Sequence, residues 1–357
     1  MLKRSDITVF AITGAALVAA ALLHFMHGSA ILQFASAAVA LSLLAMNVSS
    51  GTEHVGAHLN PGATGILQAA LGNLPELLVC AFSLRAGLVQ VVQGALIGSI
   101  LANSLLVLGI AIFVGGIKHG RMRFDSESPR MIASLMMLAV AALAIPTLAA
   151  ELHTPASAHE NALSAACAIL LLVVFGASLP FSLSADPAKS VRHDANKGDG
   201  EHADSWSLPM AIGVLVVASL GAALVSEWFV SALEPAIEAL HISQAFAGIV
   251  VVAIAGNAVE NVAGIRLAAK NRPDYAISVI LNSSLMIALV VSPALVLLSF
   301  ILGGPVLTLV LPPLLIAALL LTTLTSAIIV NDGETIWLEG VALIGLYCII
   351  AAAFWWG

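Results

Sequence analysis

A chain that strings together apolar runs of about twenty residues, with its polar residues confined to the joints, has few folds open to it. Eleven such runs follow one another here: residues 7–26, 29–47, 61–84, 88–115, 131–149, 161–182, 208–230, 243–268, 274–300, 305–330 and 336–356. Each is long enough for the roughly 20 apolar residues that a bilayer helix needs. Only 9% of the residues are charged and the mean hydropathy is +1.06, whereas a soluble domain carries about 25% charged residues. The expected fold class is an all-α polytopic membrane protein with eleven transmembrane helices, and the lipid bilayer is its first partner. No basic patch with interleaved aromatics is present, so nucleic acid is not an expected partner. The first run follows Lys3 and Arg4 and exceeds the roughly 7–15-residue core of a signal peptide, so it reads as a retained helix. Cys80, Cys167 and Cys348 lie in apolar runs and show neither metal spacing nor a disulfide framework.

Within these runs one motif occurs twice. Gly72-Asn73-Leu74-Pro75-Glu76 returns in a later run as Gly256-Asn257-Ala258-Val259-Glu260. The step from Glu76 to Ser99 equals the step from Glu260 to Ser283. The chain therefore contains an internal repeat. A carboxylate in hydrocarbon is costly and points to function, and two at matching depth point to one shared site at a repeat interface. With the N-terminus placed in the cytoplasm, twelve of the thirteen Lys and Arg residues fall at inner ends and only Arg85 falls outside, as the positive-inside rule asks. The C-terminus is then outside. Spans two to six and seven to eleven form two sets of five. An odd number per set enters the membrane from opposite sides, so the repeats are inverted. The expected organisation is an extra helix at 1–28, a first five-helix repeat at 29–183, an acidic cytosolic linker at 184–207 and a second repeat at 208–357.

On a continuous helix Asn73 and Glu76 share a face, as do Asn257 and Glu260, and Pro75 clashes with the carbonyl of Leu71. Loosened carbonyls in a membrane must line a cavity or find a partner. Glu76, Glu260, Asn73, Asn257 and the turns at Gly72 and Gly256 thus offer hard oxygen ligands, of which Ca²⁺ takes six to eight. Ser99 and Ser283 add to them from the next helix. Gln93, Asn103 and Ser284 are further candidates, each equally readable as an interhelical hydrogen bond. No Cys or His is expected on these faces, which argues against a soft metal. Two close carboxylates in low dielectric cannot both stay ionised without a cation, so protons and a divalent cation compete for one site. Competition combined with alternating access gives an antiporter.

These motifs resemble the cation/proton exchangers of the Ca²⁺/cation antiporter superfamily. The resemblance extends over residues 45–356 and is carried by Gly72–Leu77, Gly98–Gly109, Gly256–Glu260, Ala269-Lys270-Asn271, Asn282-Ser283-Ser284, Val330–Gly333 and Trp337–Gly340. It implies that Glu76 and Glu260 alternately bind cation and protons, that an acidic linker joins the halves, and that Glu53 with Glu227 or Glu234 stands at the cavity mouths. It implies Ca²⁺ export in exchange for H⁺, with Ca²⁺ as substrate, no cofactor and no enzyme activity; the expected location, read from the short stretch before the first run, is the cell (inner) membrane. Three positions depart from the family pattern: Asn261 stands where His is usual, Met286 where Gln is usual, and Pro75 is unusual. Exchange of Na⁺, K⁺ or another divalent cation for H⁺ is the alternative. A remote alternative is an intramembrane metalloprotease, through His54 and His58 at i, i+4, although Val55 holds the position where that motif needs Glu.

Overall fold

The computed structural model describes residues 4–26, 28–59, 64, 67, 71–184 and 206–356. Its helices are α1 (Arg4–Phe25), α2 (Ala30–Gly56), α3 (Leu74–Arg85), α4 (Val89–His119), α5 (Glu127–Glu151), α6 (Glu160–Ser184), α7 (Leu208–Leu240), α8 (Gln244–Gly256), α9 (Ala258–Ala269), α10 (Pro273–Ser299), α11 (Pro313–Asn331) and α12 (Trp337–Ala353). Among the described residues eight helices are long and apolar enough to cross a bilayer. α8 and α9, bent by 63° at their junction, together make a ninth, and α12 is a shorter apolar helix. The remaining expected span, 61–84, is described in part only, and residues 185–205 of the expected linker lie outside the described residues.

Two helices outrun their apolar runs. α2 continues through Glu53 and His54 to Gly56, and α7 continues through Glu234, Pro235 and Glu238 to Leu240, where the sequence reads as a polar stretch and a polar turn. Both extensions keep one buried face, with Val55 on α2 and Leu233, Ala236 and Ile237 on α7, so the helix persists after uniform apolarity ends. The opposite correction holds at 305–312. These residues start span ten on hydropathy, but they run non-helically between Pro305 and Pro312, and α11 begins only at Pro313. That stretch is stitched to its surroundings by side chains. The N–H groups of Leu307, Leu309 and Leu311 bond the hydroxyls of Ser299, Ser164 and Thr147 at 3.0, 2.9 and 2.9 Å.

α2 and α7 pack antiparallel along their length, with Gly51 against Leu215, Leu44 against Gly221 and the ring of Phe34 4.7 Å from that of Phe229. α1 lies on α2, where Asn47 donates to the Thr13 hydroxyl at 2.9 Å. α4 crosses α8 at backbone contact distance: a Cβ added to Gly98 would stand 2.4 Å from Ile249 Cα, and one added to Gly248 would stand 2.4 Å from Val91 O. Only glycine permits that approach.

Bonds tie both ends of the bundle, across the halves at one end and within the second half at the other. At one end β1 (Met122–Arg123) pairs antiparallel with β2 (Glu334–Thr335), Arg121 reaches Glu334 at 2.6 Å, and Arg130 donates to Asn331 O at 2.6 Å. At the other end, beyond α12, Ser243 donates to Phe354 O at 2.5 Å.

Candidate cation site

Both repeated motifs break a helix, and they break it alike. Asn73 has φ −102° and ψ 19°, and Asn257 has φ −105° and ψ 18°. Each caps the helix that follows: Leu77 N–H bonds Asn73 O at 3.0 Å and Asn261 N–H bonds Asn257 O at 3.1 Å. The shared-face reading is corrected accordingly. Asn73 precedes α3, and Pro75 sits in the first turn, where its missing N–H costs nothing. The expected clash with Leu71 O does not arise, because the helix starts after it.

Glu76 is the third residue of α3 and is 2% exposed. The positive end of the helix dipole favours an anion there. Ser99 of α4 donates its hydroxyl to Glu76 Oε1, and the Ser99 oxygen accepts from Asn257 Nδ2 at 2.9 Å. The carboxylate of one motif is thus linked, through one serine, to the asparagine of the other. A Cβ on Gly256 would stand 3.5 Å from Glu76 Cβ, so the second break packs directly on the first carboxylate. Glu260 is the third residue of α9, the position that Glu76 holds in α3; its side chain lies outside the described residues.

Around this chain the two halves keep meeting. Asn103 Nδ2 donates to Ser283 Oγ at 3.0 Å, and the hydroxyls of Ser104 and Ser284 lie 2.9 Å apart. Asn103 and Ser104 belong to a π-helical stretch, Ala102–Val107, and a matching stretch, Ile287–Val291, follows Ser283 and Ser284. Such stretches recur at functional sites. Asn103 Oδ1 and Asn257 Oδ1 are buried and have no hydrogen-bond partner among the described residues. They are hard oxygens of the kind a cation ligates.

Other candidates go elsewhere. Gln93 donates to Val310 O at 2.9 Å, which makes it a stitch to the non-helical stretch. Glu53, on α2, and Glu227 and Glu234, on α7, are exposed. α2 ends between His54 and His58, whose Nδ1 atoms are taken by Ser50 O and His54 O at 2.8 and 2.9 Å, so the helical pair that a metalloprotease needs is not formed. The expectation of no thiol near the site is corrected. Cys80 lies one turn after Glu76 in α3 and is buried, because a helix starting at Leu74 puts both on one face. Sequence reasoning missed Ser42, whose hydroxyl lies 3.1 Å from Ala255 O beside the second break, and passed over Ser104.

The family described as "Sodium/calcium exchanger protein" matches residues 29–184 and again residues 210–356. The chain belongs to the sodium/calcium exchanger protein family. Within that family its relatives include a Ca²⁺/H⁺ antiporter of Aphanothece halophytica, 34% identical over 93% of this chain and 92% of the relative. Another is the Ca²⁺/H⁺ antiporter ChaA of Bacillus subtilis, 33% identical over 92% of this chain and 93% of the relative. The solved structure of native YfkE covers 97% of this chain and 99% of its own, with 30% identity and a TM-score of 0.82. A multi-pass membrane antiporter fold follows for this family member.

Proposed function

We propose that this exchanger family member couples Ca²⁺ export to H⁺ entry across the cell membrane, with Glu76 and Glu260 as one shared site. The observation that carries the reading is the buried chain from Asn257 through Ser99 to Glu76. It links the carboxylate of one half to the asparagine of the other at a helix break, and Asn103 Oδ1 and Asn257 Oδ1, which have no hydrogen-bond partner among the described residues, support the reading. Relatives at 33–34% identity named Ca²⁺/H⁺ antiporters support the choice of ions. Asn73, Ser283, Asn103 and Ser284 complete the surroundings, and Glu53, Glu227 and Glu234 serve the mouths. Eleven spans, inverted five-helix repeats at 29–183 and 208–357 and a cytoplasmic N-terminus complete the proposal. The near-identical breaks, the paired π stretches and the double family match support the repeat.

Proton and cation compete for the same oxygens. Lower pH at the loading face therefore raises the apparent KM for Ca²⁺ and leaves the maximal rate intact. In proteoliposomes with an imposed proton gradient, the wild type is expected to accumulate Ca²⁺ uphill. Glu76→Gln and Glu260→Gln each lower that uptake by about a hundredfold or more, the scale on which breaking a buried ionic pairing acts. Uptake of Na⁺ or K⁺ alone would move the ion choice to the alternative and direct attention to Asn261 and Met286. Full exchange in either Gln variant would sink the paired-carboxylate mechanism.

A further inference from the structure

The step from Ser42 to Ser226 equals the step from Gly72 to Gly256, so the two serines are repeat counterparts. Ser42 lies on α2 and Ser226 on α7, the two helices that pack antiparallel along their length. Ser42 shares its hydroxyl proton between Ala38 O, one turn back at 2.9 Å, and Ala255 O at 3.1 Å. Ala255 stands in the last turn of α8, where carbonyls outrun their helical donors. Ser42 therefore pins the backbone of the second break to α2. By the same offset the counterpart of Ala255 is Leu71, the last helical residue before the first break. Ser226 is 0% exposed, and its hydroxyl has no partner among the described residues, although α7 packs against α3 just beyond that break. A buried hydroxyl without a partner is unfavourable and persists where another state satisfies it.

We propose that Ser42 and Ser226 are alternating positioning residues. In the present state Ser42 holds the second break and Ser226 is idle. In the state open to the opposite face Ser226 holds Leu71 O and Ser42 is released. The inference rests on the exchange reading above and names the contacts that bias its two states. Neither serine touches the ion.

The test measures the apparent KM for Ca²⁺ at each membrane face of reconstituted protein of defined orientation. A variant that weakens one state raises KM at that state's face and lowers it at the other. Ser42→Ala shifts the ratio of the two KM values about three- to tenfold one way, the scale of one buried hydrogen bond. Ser226→Ala shifts it the other way, the double variant returns it towards wild type, and Ser→Thr at either position, which keeps the hydroxyl, leaves it unchanged. Shifts of the same sign, or a lowered rate with an unchanged ratio, overturn the proposal. Amide exchange in nanodiscs without any gradient gives a readout independent of transport: Ser42→Ala speeds exchange over residues 253–258. A wild type that moves no Ca²⁺ while this response holds overturns the exchange reading alone, and unchanged exchange rates overturn the pin.

Discussion

The two helix breaks share a backbone and differ in what their side chains hold. At neither break does the asparagine side chain cap the helix that follows, and at the first Glu76 is the acceptor at the end of a buried chain. At the second, Asn257 is 1% exposed and donates both to Ser99 and to Ala253 O, at 2.9 and 3.1 Å. An inverted repeat gives two equivalent frames, and a single conformation must fill them unequally, because a cavity open to one face is closed to the other. On the exchange reading proposed above, the inequality between the two asparagines belongs to one state of the transport cycle and reverses in the other.

The sharpest way to break this comparison is to remove the asparagines one at a time. Asn257→Ala takes a donor from Ser99, the serine that holds a carboxylate, and should lower the rate of exchange about tenfold or more, as for hydrogen bonds that serve a charged group. Asn73→Ala should lower it by less than about threefold in the same vesicle assay. Equal losses would show that the asymmetry is not used. A second contrast lies in the glycines. Gly98→Ala forces a Cβ into the backbone of Ile249 and should destabilise the protein by about 1–3 kcal/mol, read as a fall of several degrees in Tm in detergent. Gly256→Ala meets only an ordinary 3.5 Å contact with Glu76, so Tm should stay put while the KM for Ca²⁺ responds. The smallest effect is expected where the halves meet in water. Glu334→Gln removes the pairing with Arg121, whose side chains are 37% and 56% exposed. Such a pair is worth at most about 1 kcal/mol, and the Tm difference from wild type should vanish as salt is raised.

The repeated break, the burial of Glu76 and the serines that bond across the halves could be read from the sequence, because polar residues stand out in hydrocarbon. Asn73 and Pro75 were legible as a perturbation but not as a helix start: the same residues fit a kinked helix or a capped one, and the choice is made by packing. The extensions of α2 and α7 were hidden because a helix that leaves the lipid keeps its backbone bonds and loses only its uniform apolarity. Ser42 carried no local signal, since its partner Ala255 belongs to the other half of the chain. The repeat offset that relates it to Ser226 was the available clue. Gln93 was read towards the site because a buried amide on a pore-side helix and a buried amide that mends a non-helical backbone look alike in one dimension.

That mending has a consequence for how the molecule tolerates change. Between α10 and α11 the N–H groups of residues 307, 309 and 311 each meet a side-chain oxygen from a different helix, and Val310 O is taken by Gln93. The buried side chains at Leu307, Leu309 and Leu311 keep the same beat of two. A single inserted residue would turn every later N–H and leucine to the wrong side, so a stretch that passes for a connecting loop has no spare length. A tag or a cleavage site is better carried by residues 155–159, where no side chain is buried.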